Sequence, residues 1–208
     1  DITYLPSGVR GLYFYLYLIL DLYSRKIVGW EVHATESGEH AATLLRRTAL
    51  SEAIQTWRAP LVLHADNGSP MKSATLLVTL QWLGVTPSHS RPRVSNDNAY
   101  AESVFRTCKY RPEYPSEGFA SLDKARAWVM RFAAWYNTEH RHSGLNFVTP
   151  EQRHTALAED IMKQRIEVYE TAHARNPRRW SGDSRDWSLP RRVWLNPEKT
   201  ASPQAQAA

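Results

Sequence analysis

Residues 11–32 read GLYFYLYLILDLYSRKIVGWEV, and this apolar run defines the first half of a β-sheet. Tyr, Leu and Ile dominate residues 11–23, which is typical of a fully buried strand. Arg25 and Lys26 make a tight turn into another strand over residues 27–32. Residues 1–5 also alternate as a strand does, so the three strands in a row predict an antiparallel meander.

Helical and strand patterns alternate after the meander. The predicted elements are a helix over residues 38–57, a strand over 61–65, a helix over 73–83, a strand over 85–88, and helices over 98–110 and 121–137. The polar segment 90–97 is predicted to be a mobile loop. Thr149-Pro150-Glu151-Gln152 is a capping box and predicts one more helix. This order predicts an α/β fold with a mixed five-stranded sheet flanked by helices.

Length and composition indicate a folded protein of one ordinary domain with an appendage. The chain has 208 residues, of which 42% are hydrophobic and 8 are Trp; this is enough to bury a core. Its 26 Lys and Arg against 21 Asp and Glu give a net charge of +5, which mildly favours a polyanionic partner. Cys108 is the single cysteine. It excludes an internal disulfide framework and a multi-cysteine zinc site.

The chain shows no targeting or membrane signal. The apolar stretch of residues 12–22 is too short to span a bilayer and contains Asp21, so we expect a cytoplasmic protein without a membrane partner. Because the first residue is Asp1 rather than Met, we expect an N-terminally truncated core over residues 1–160. Residues 161–208 are predicted to form a small basic C-terminal appendage, with six arginines between residues 173 and 192 and a disordered end.

Three carboxylates lie at positions where an acidic side chain is unfavourable unless it has a function. Asp1 opens the first strand, Asp66 ends the apolar run 61–65, and Glu102 lies within the helix over 98–110. Carboxylates gathered from two strand ends and a helix repel one another unless hard cations such as Mg²⁺ or Mn²⁺ lie between them. Two such ions about 3.5–4 Å apart assist in-line displacement at phosphorus. We therefore predict a metal-dependent enzyme acting on DNA, with these three residues as catalytic groups and metal ligands.

The helix that carries Glu102 also carries a polar stripe. Asn98, Glu102, Arg106 and Lys109 are spaced i, i+4, i+8 and i+11, on one face. Such a stripe is commonly a solvated face held by ion pairs. Its alignment with a predicted metal ligand favours contacts with the DNA backbone instead, which we predict for Asn98, Arg106 and Lys109.

Several polar residues have a structural alternative. Asp66-Asn67-Gly68 is also typical of a turn after a strand. Asp21 follows an apolar strand as Asp66 does, but we expect it to anchor the turn through Arg25. His140 and His142 are a weak metal signal, and we expect them to cap the preceding helix or pair with Glu139. In the appendage, Trp180 and Trp187 either stack on bases or pack on the core.

The ordered set of motifs resembles the catalytic core of the retroviral-integrase superfamily, and more narrowly the Asp-Asp-Glu transposases of bacterial insertion sequences. The matching segments are residues 1–4, 21–30, 64–69 and 96–102, together with Tyr136-Asn137, His142, Leu145 and Thr149-Pro150. The resemblance covers about residues 1–155. It implies a ribonuclease H-like fold, two divalent metal ions, and DNA strand cleavage and joining, with the family's catalytic carboxylates at Asp1, Asp66 and Glu102.

The resemblance also implies partners and a mechanism. The partners would be the ends of a mobile element and a target DNA, held by a homo-oligomer. The family's N-terminal helix-turn-helix region does not occur in this sequence. Water as the nucleophile would nick DNA, and a 3′-hydroxyl would join strands. The alternatives are a non-catalytic remnant that only binds DNA or oligomerises, and a nuclease without joining activity. A free α-amino group on Asp1 titrates at about pH 7.7–8.0, so we expect it to be largely protonated at neutral pH and to oppose metal binding.

Overall fold

The structure, a computed structural model, describes residues 1–54 and 60–196. Five strands and six α-helices occur in these ranges and form a mixed α/β fold. In chain order they are β1 (Ile2–Pro6), β2 (Tyr13–Leu20), β3 (Ile27–His33), α1 (Gly38–Ser51), β4 (Leu61–Ala65), α2 (Ala74–Trp82), β5 (Val85–His89), α3 (Ala99–Lys109), α4 (Leu122–Thr138), α5 (Pro150–His154) and α6 (Leu157–Arg175).

The five predicted strands are present, but their hydrogen bonds form two sheets. β1, β2 and β3 make the predicted antiparallel meander, and β4 pairs with β5 in parallel. The prediction of one continuous five-stranded sheet is therefore wrong for the described residues. Side chains join the two sheets instead, since Tyr17 and Ile19 of β2 share an apolar cluster with Leu63 and Ala65 of β4. A hydrophobic run specifies a strand, but not the strand with which it pairs.

Strand β2 is shorter and less buried than its sequence suggested. It spans Tyr13–Leu20, and only Leu16, Tyr17 and Leu18 are buried. Asp21 ends the strand because the turn closes there: the backbone N–H of Asp21 bonds to the carbonyl of Lys26 at 2.9 Å. The predicted full burial holds only where helices cover both faces of the strand.

Helix starts follow the sequence closely. Ser37, Ser73 and Ser121 cap α1, α2 and α4 with their hydroxyl groups. The capping box predicted at Thr149 is confirmed with both of its hydrogen bonds. Helix α1 ends at Ser51, before the predicted end at residue 57; residues 55–57 lie outside the described ranges. Within those ranges, no helix is both long enough and apolar enough to cross a bilayer.

Helices cover both faces of the meander. Trp128, Phe132 and Tyr136 of α4 pack with β1–β3 and α3 on one face, and α1 and α2 pack on the other. The end of α4 is fixed to β3 by a reciprocal pair of hydrogen bonds: Ile27 N–H donates to Asn137 Oδ1 (2.9 Å), and Asn137 Nδ2 donates to the Ile27 carbonyl (3.0 Å). This pairing explains the Tyr136-Asn137 motif.

A third apolar cluster joins the end of the chain to the core. Trp187 is buried against Val148 and Met162, and α6 runs through residue 160, where the core was expected to end. The division into residues 1–160 and 161–208 stays a prediction. Beyond Trp187, the segment 188–196 returns to the core, where the Tyr100 hydroxyl donates to the carbonyl of Trp194 at 2.9 Å. We call residues 187–196 the C-terminal segment.

Candidate active site

Asp1 is held at the start of β1 by strand β2. Its nitrogen donates to the Leu18 carbonyl, and Leu18 N–H donates to the Asp1 carbonyl, both at 2.9 Å. The carboxylate accepts from its neighbour's backbone, Ile2 N–H to Oδ1 at 2.6 Å, and from Asn98 Nδ2 to Oδ2 at 2.6 Å. The side chain of Asp1 is therefore fixed against the first turn of α3.

The α-amino group of Asp1 does not behave as the sequence suggested. Burial lowers its pKa to about 6, although the nearby carboxylate of Asp66 acts in the opposite direction. A group with this pKa is mainly uncharged at pH 7. For a chain whose first residue is Asp1, this pKa contradicts the expectation of a largely protonated amino group.

Asp66 follows β4 in a turn braced by the end of β5. Its Oδ1 accepts from Gly68 N–H at 2.9 Å, so the turn alternative is confirmed. His89 Nδ1 lies 3.2 Å from the Asp66 carbonyl, and Ser90 N–H donates to the Ala65 carbonyl at 3.0 Å. The turn and the predicted site are compatible, because the turn fixes the backbone through Asp66 Oδ1 and does not use Oδ2.

Glu102 lies between two side chains that both contact β1. Asn98 bonds to Asp1, and Lys109 Nζ donates to Thr3 Oγ1 at 2.7 Å. Glu102 is one helical turn beyond Asn98 on the same face, and its side chain is exposed. The helix thus presents Glu102 on the side where it touches the beginning of β1.

The cations of the predicted stripe differ in their surroundings. Lys109 is half-buried, and burial lowers the pKa of its ammonium group. Its bond to Thr3 directs it at β1. Arg106 is exposed, with its guanidinium 5.5 Å from the centre of the Tyr110 ring. Arg106 is therefore the cation of the stripe that faces solvent.

The three predicted carboxylates suit a divalent cation by their chemistry, but their positions do not form a complete binding site. Asp1, Asp66 and Glu102 offer only carboxylate oxygens, which suit Mg²⁺ or Mn²⁺. Across the described ranges, however, no three acidic, histidine or cysteine side chains are gathered closely enough to hold a metal ion. The three carboxylates are therefore not gathered around one cation position in this arrangement.

The loop that precedes α3 is built around Asp97. Arg91 donates to its carboxylate from Nε (3.0 Å), Nη2 (2.7 Å) and the backbone N–H (2.7 Å), and Asn196 Nδ2 donates at 2.8 Å. The hydrogen bonds from Arg91, then that from Asn196, hold the pKa of Asp97 well below its usual range. The C-terminal segment is thereby tied to the loop that positions Asn98; the predicted mobility of residues 90–97 stays a prediction.

Asp21 anchors its turn, but not through the side chain of Arg25. Its Oδ2 accepts from both the hydroxyl and the backbone N–H of Ser24, and Arg25 N–H donates to the Asp21 carbonyl at 2.8 Å. The guanidinium of Arg25 stacks on Tyr100 instead, 3.6 Å from the ring centre. The predicted role of Arg25 is corrected accordingly.

The histidines and tryptophans for which the sequence left two roles open have structural contacts. His142 Nδ1 accepts from Gly144 N–H at 3.1 Å and so caps the short turn over residues 143–145 that follows it. The prediction that it caps the preceding helix is therefore wrong for this residue. His140 stacks on Tyr136, with ring centres 5.3 Å apart. Trp187 is buried, and Trp180 packs edge-on against Tyr169 of α6. Both tryptophans pack within the protein.

A cluster of arginines beside α3 was not predicted from the sequence. Arg25, Arg153 and Arg192 line one cavity with Tyr100. They are far apart in sequence, and no spacing relates them. The only signal was that Arg25 and Tyr100 lie within motif segments, where neither residue had an assigned function.

Sequence comparison identifies the domain. Two family models match, both described as integrase core domain, one over residues 1–95 and the other over residues 83–150. Among curated proteins, the transposase for insertion sequence element IS904 of Lactococcus lactis is 33% identical over 153 residues, 73% of this chain and 58% of that protein. Transposase InsF for insertion sequence IS3fB of Escherichia coli is 31% identical over 153 residues, 73% of this chain and 51% of that protein.

A solved structure shares the fold. A chain of the simian T-cell lymphotropic virus intasome, in complex with a PP2A regulatory subunit, aligns with a TM-score of 0.55 and 14% identity over 74% of this chain and 52% of its own length. The present chain spans a little over half the length of the curated relatives it matches. Residues 1–150 belong to the integrase core domain family, and the sequence relatives of this chain are insertion-sequence transposases.

Proposed function

We propose that this chain is the catalytic core of a transposase, a polynucleotidyl transferase with a ribonuclease H-like arrangement that cleaves and joins DNA strands. The supporting observation is the 2.6 Å hydrogen bond from Asn98 to the carboxylate of Asp1. This bond fixes the start of α3 against Asp1, one helical turn before Glu102.

The catalytic groups are the three carboxylates. Asp1, Asp66 and Glu102 would hold two Mg²⁺ or Mn²⁺ ions, which when bound supply Lewis-acid activation of the nucleophile and stabilise charge on the leaving oxygen. Since the three carboxylates are not gathered in the described residues, metal binding requires them to move together. Asn98 orients the carboxylate of Asp1. Water as the nucleophile nicks DNA, and a 3′-hydroxyl joins strands.

The basic residues of α3 have two roles in this proposal. Arg106 faces solvent and contacts the DNA backbone, where a cation adds affinity without reading sequence. For Asn98 and Lys109, which already bond to β1, positioning of the strand that carries Asp1 fits better than the predicted phosphate contact.

The proposed partners follow from the relatives. The DNA partners are the ends of a mobile element and a target DNA. The protein acts on them in the cytoplasm as a homo-oligomer. The intasome is the assembly of the viral protein; for this chain, an oligomeric DNA complex is part of the proposal. Residues 1–160 form the catalytic core, and residues 161–208 add basic surface.

The proposal is tested at Asp66. Asp66→Asn keeps the shape of the side chain but removes a charged ligand, so we expect nicking of supercoiled plasmid to fall by roughly 10²–10³-fold or more. Calorimetric Mn²⁺ titration should show weaker binding. Asp123→Asn, at an exposed carboxylate of α4, is the matched control and should match the wild type in both assays. Equal Mn²⁺ binding and nicking by Asp66→Asn would disprove the catalytic assignment.

A second candidate, a core that binds DNA without turnover, is favoured by the arrangement of the three carboxylates, which among the described residues are not gathered closely enough to hold a metal ion. It predicts a folded wild-type chain that binds DNA but neither binds Mn²⁺ tightly nor nicks. The same titration therefore distinguishes the two proposals.

A further inference from the structure

Arg25 has a guanidinium that is held but not neutralised. The residue lies in the β2–β3 turn with φ of 64°, a left-handed conformation that directs its side chain toward α3. The guanidinium stacks 3.6 Å from the centre of the Tyr100 ring. Its Nε and Nη1 atoms are buried, and in the part of the chain that the structure describes neither has a hydrogen-bond partner.

Arg153 of α5 repeats this arrangement. It is only 5% exposed, and its guanidinium lies 4.2 Å from the centre of the Tyr23 ring. Its Nη2 donates to the carbonyl of Pro190 at 2.8 Å, in the C-terminal segment. Its Nε is buried and, among residues 1–54 and 60–196, has no partner. Two stacked arginines thus keep unused N–H donors in the interior.

These arginines face one cavity of about 190 Å³. Arg192 of the C-terminal segment is the third cation in its lining, and the tyrosines on which Arg25 and Arg153 stack also line it. No acidic residue is among the described residues that form its wall. The carboxylates closest in sequence are engaged elsewhere, Asp21 with Ser24 and Glu151 with Lys26 at 3.1 Å. We call this cavity the arginine pocket.

An anion would complete the arginine pocket. A buried donor without a partner costs about 1–3 kcal/mol, and more when it is charged, and three cations around one cavity repel one another. Planar guanidinium groups present paired N–H donors that match the oxygens of a phosphate group. The tyrosine rings fix the guanidinium planes and so lower the entropy lost on binding.

We propose that the arginine pocket binds a phosphodiester group of a DNA strand, a proposal that rests on the proposed function. Tyr100 lies in the first turn of α3, two residues from Asn98. The arginine pocket and the acidic site, which we define as Asp1, Asp66 and Glu102, therefore share the N-terminal end of this helix. Arg192 and Trp194 are exposed at the rim of the pocket, where a polymer can enter. A strand whose reacting phosphate lies near Asp1 therefore places a more distant phosphate against Arg25, Arg153 and Arg192.

The test is the salt dependence of binding to a short DNA duplex without divalent metal. Each lost phosphate contact lowers the slope of log affinity against log salt by about 0.9. We expect Arg192→Ala to lose about one contact. Arg191→Ala, next to it and exposed but outside the pocket, removes the same charge and should change the slope much less. Arg153→Lys keeps the charge but loses the paired donors, and should weaken DNA binding several-fold while its circular dichroism stays native.

Each outcome has a defined meaning. Equal loss of slope in Arg191→Ala and Arg192→Ala would show a diffuse basic surface and overturn the pocket. If inorganic phosphate or pyrophosphate raised the melting temperature of the wild type but not of Arg153→Lys, while both bound DNA alike, the ligand would be a free phosphate rather than DNA. Asp66→Asn should bind DNA with the wild-type slope. A catalytic failure at Asp66 is thus distinguishable from a failure of the arginine pocket.

Discussion

The first turn of α3 separates two clusters of like charge, and the two are built differently. Asn98 donates to the carboxylate of Asp1, whereas Tyr100 stacks on the guanidinium of Arg25. On the acidic side Glu102 is exposed, so solvent screens its repulsion of the other carboxylates. In the arginine pocket two guanidinium groups are stacked on tyrosines and buried, so their positions are set by packing. The pocket is preorganised for an anion, and the acidic site is assembled only in part.

The largest expected effect comes from loosening the C-terminal segment, which carries Arg192 of the arginine pocket. Trp187 anchors the C-terminal segment and is 8% exposed. Trp187→Ala should cost about 3–5 kcal/mol of unfolding free energy, as large-to-small core substitutions do. We expect the lower end, because the buried indole N–H has no partner among the described residues. Urea denaturation measures this cost.

Trp187→Ala should also reduce the salt slope of DNA binding and affect Mn²⁺ binding much less, because Arg91 still holds Asp97 when the bond from Asn196 is lost. Trp82→Ala, at a tryptophan that is 78% exposed, is the matched control and should stay within about 0.5 kcal/mol of the wild type. A parallel loss of Mn²⁺ binding in Trp187→Ala would mean that the two clusters are not held independently.

A smaller effect is expected from substitutions at Asn98 and Tyr100, which contact the acidic site and the arginine pocket respectively. Asn98→Ala removes the hydrogen bond that orients Asp1, and loss of such a supporting group typically weakens metal binding by about 10–100-fold. Tyr100→Phe removes only the bond to the Trp194 carbonyl, at a cost of about 1 kcal/mol of stability. Mn²⁺ calorimetry on both variants should show the loss in Asn98→Ala alone. The reverse order would contradict the assignment of Asn98 to the acidic site.

The smallest expected effect is a pH dependence of folding stability that arises from His142, whose pKa is affected by Arg25 of the arginine pocket. Burial, and then the charge of Arg25, lowers the pKa of His142 to about 4. An unfolded histidine titrates at about 6.5, so between pH 6.5 and 4 the unfolded chain takes up a proton that the folded chain does not. Stability should therefore fall as the pH drops through this window, and the contribution of His142 should be constant above it.

His142→Asn tests this, because Asn keeps an acceptor for the Gly144 N–H. Melting temperatures between pH 7 and 4 should fall less steeply than in the wild type; an unchanged profile would refute the role of His142. By NMR, Arg25→Leu should raise the pKa of His142, and Asp66→Asn should not change it.

The sequence determined most of the local structure. The capping box at Thr149, the meander and the ends of α3 follow from hydrogen-bonding side chains, short turns and periodicity, all of which act over a few residues. The family motifs also led to Asp66 and Glu102, because their neighbours carry a specific pattern. The end of β2 and the division of the sheet were not predicted, since both depend on which elements pack on the strands.

Only the tertiary structure decided which charges meet. Sequence spacing placed Lys109 with Asn98 and Arg106 on one face of α3, but packing against β1 turned its ammonium to Thr3. It also brought Arg25, Arg153 and Arg192 to one cavity across more than 160 residues of chain. Electrostatic energy depends on distance and burial in space, and neither is encoded in the spacing of residues along the chain.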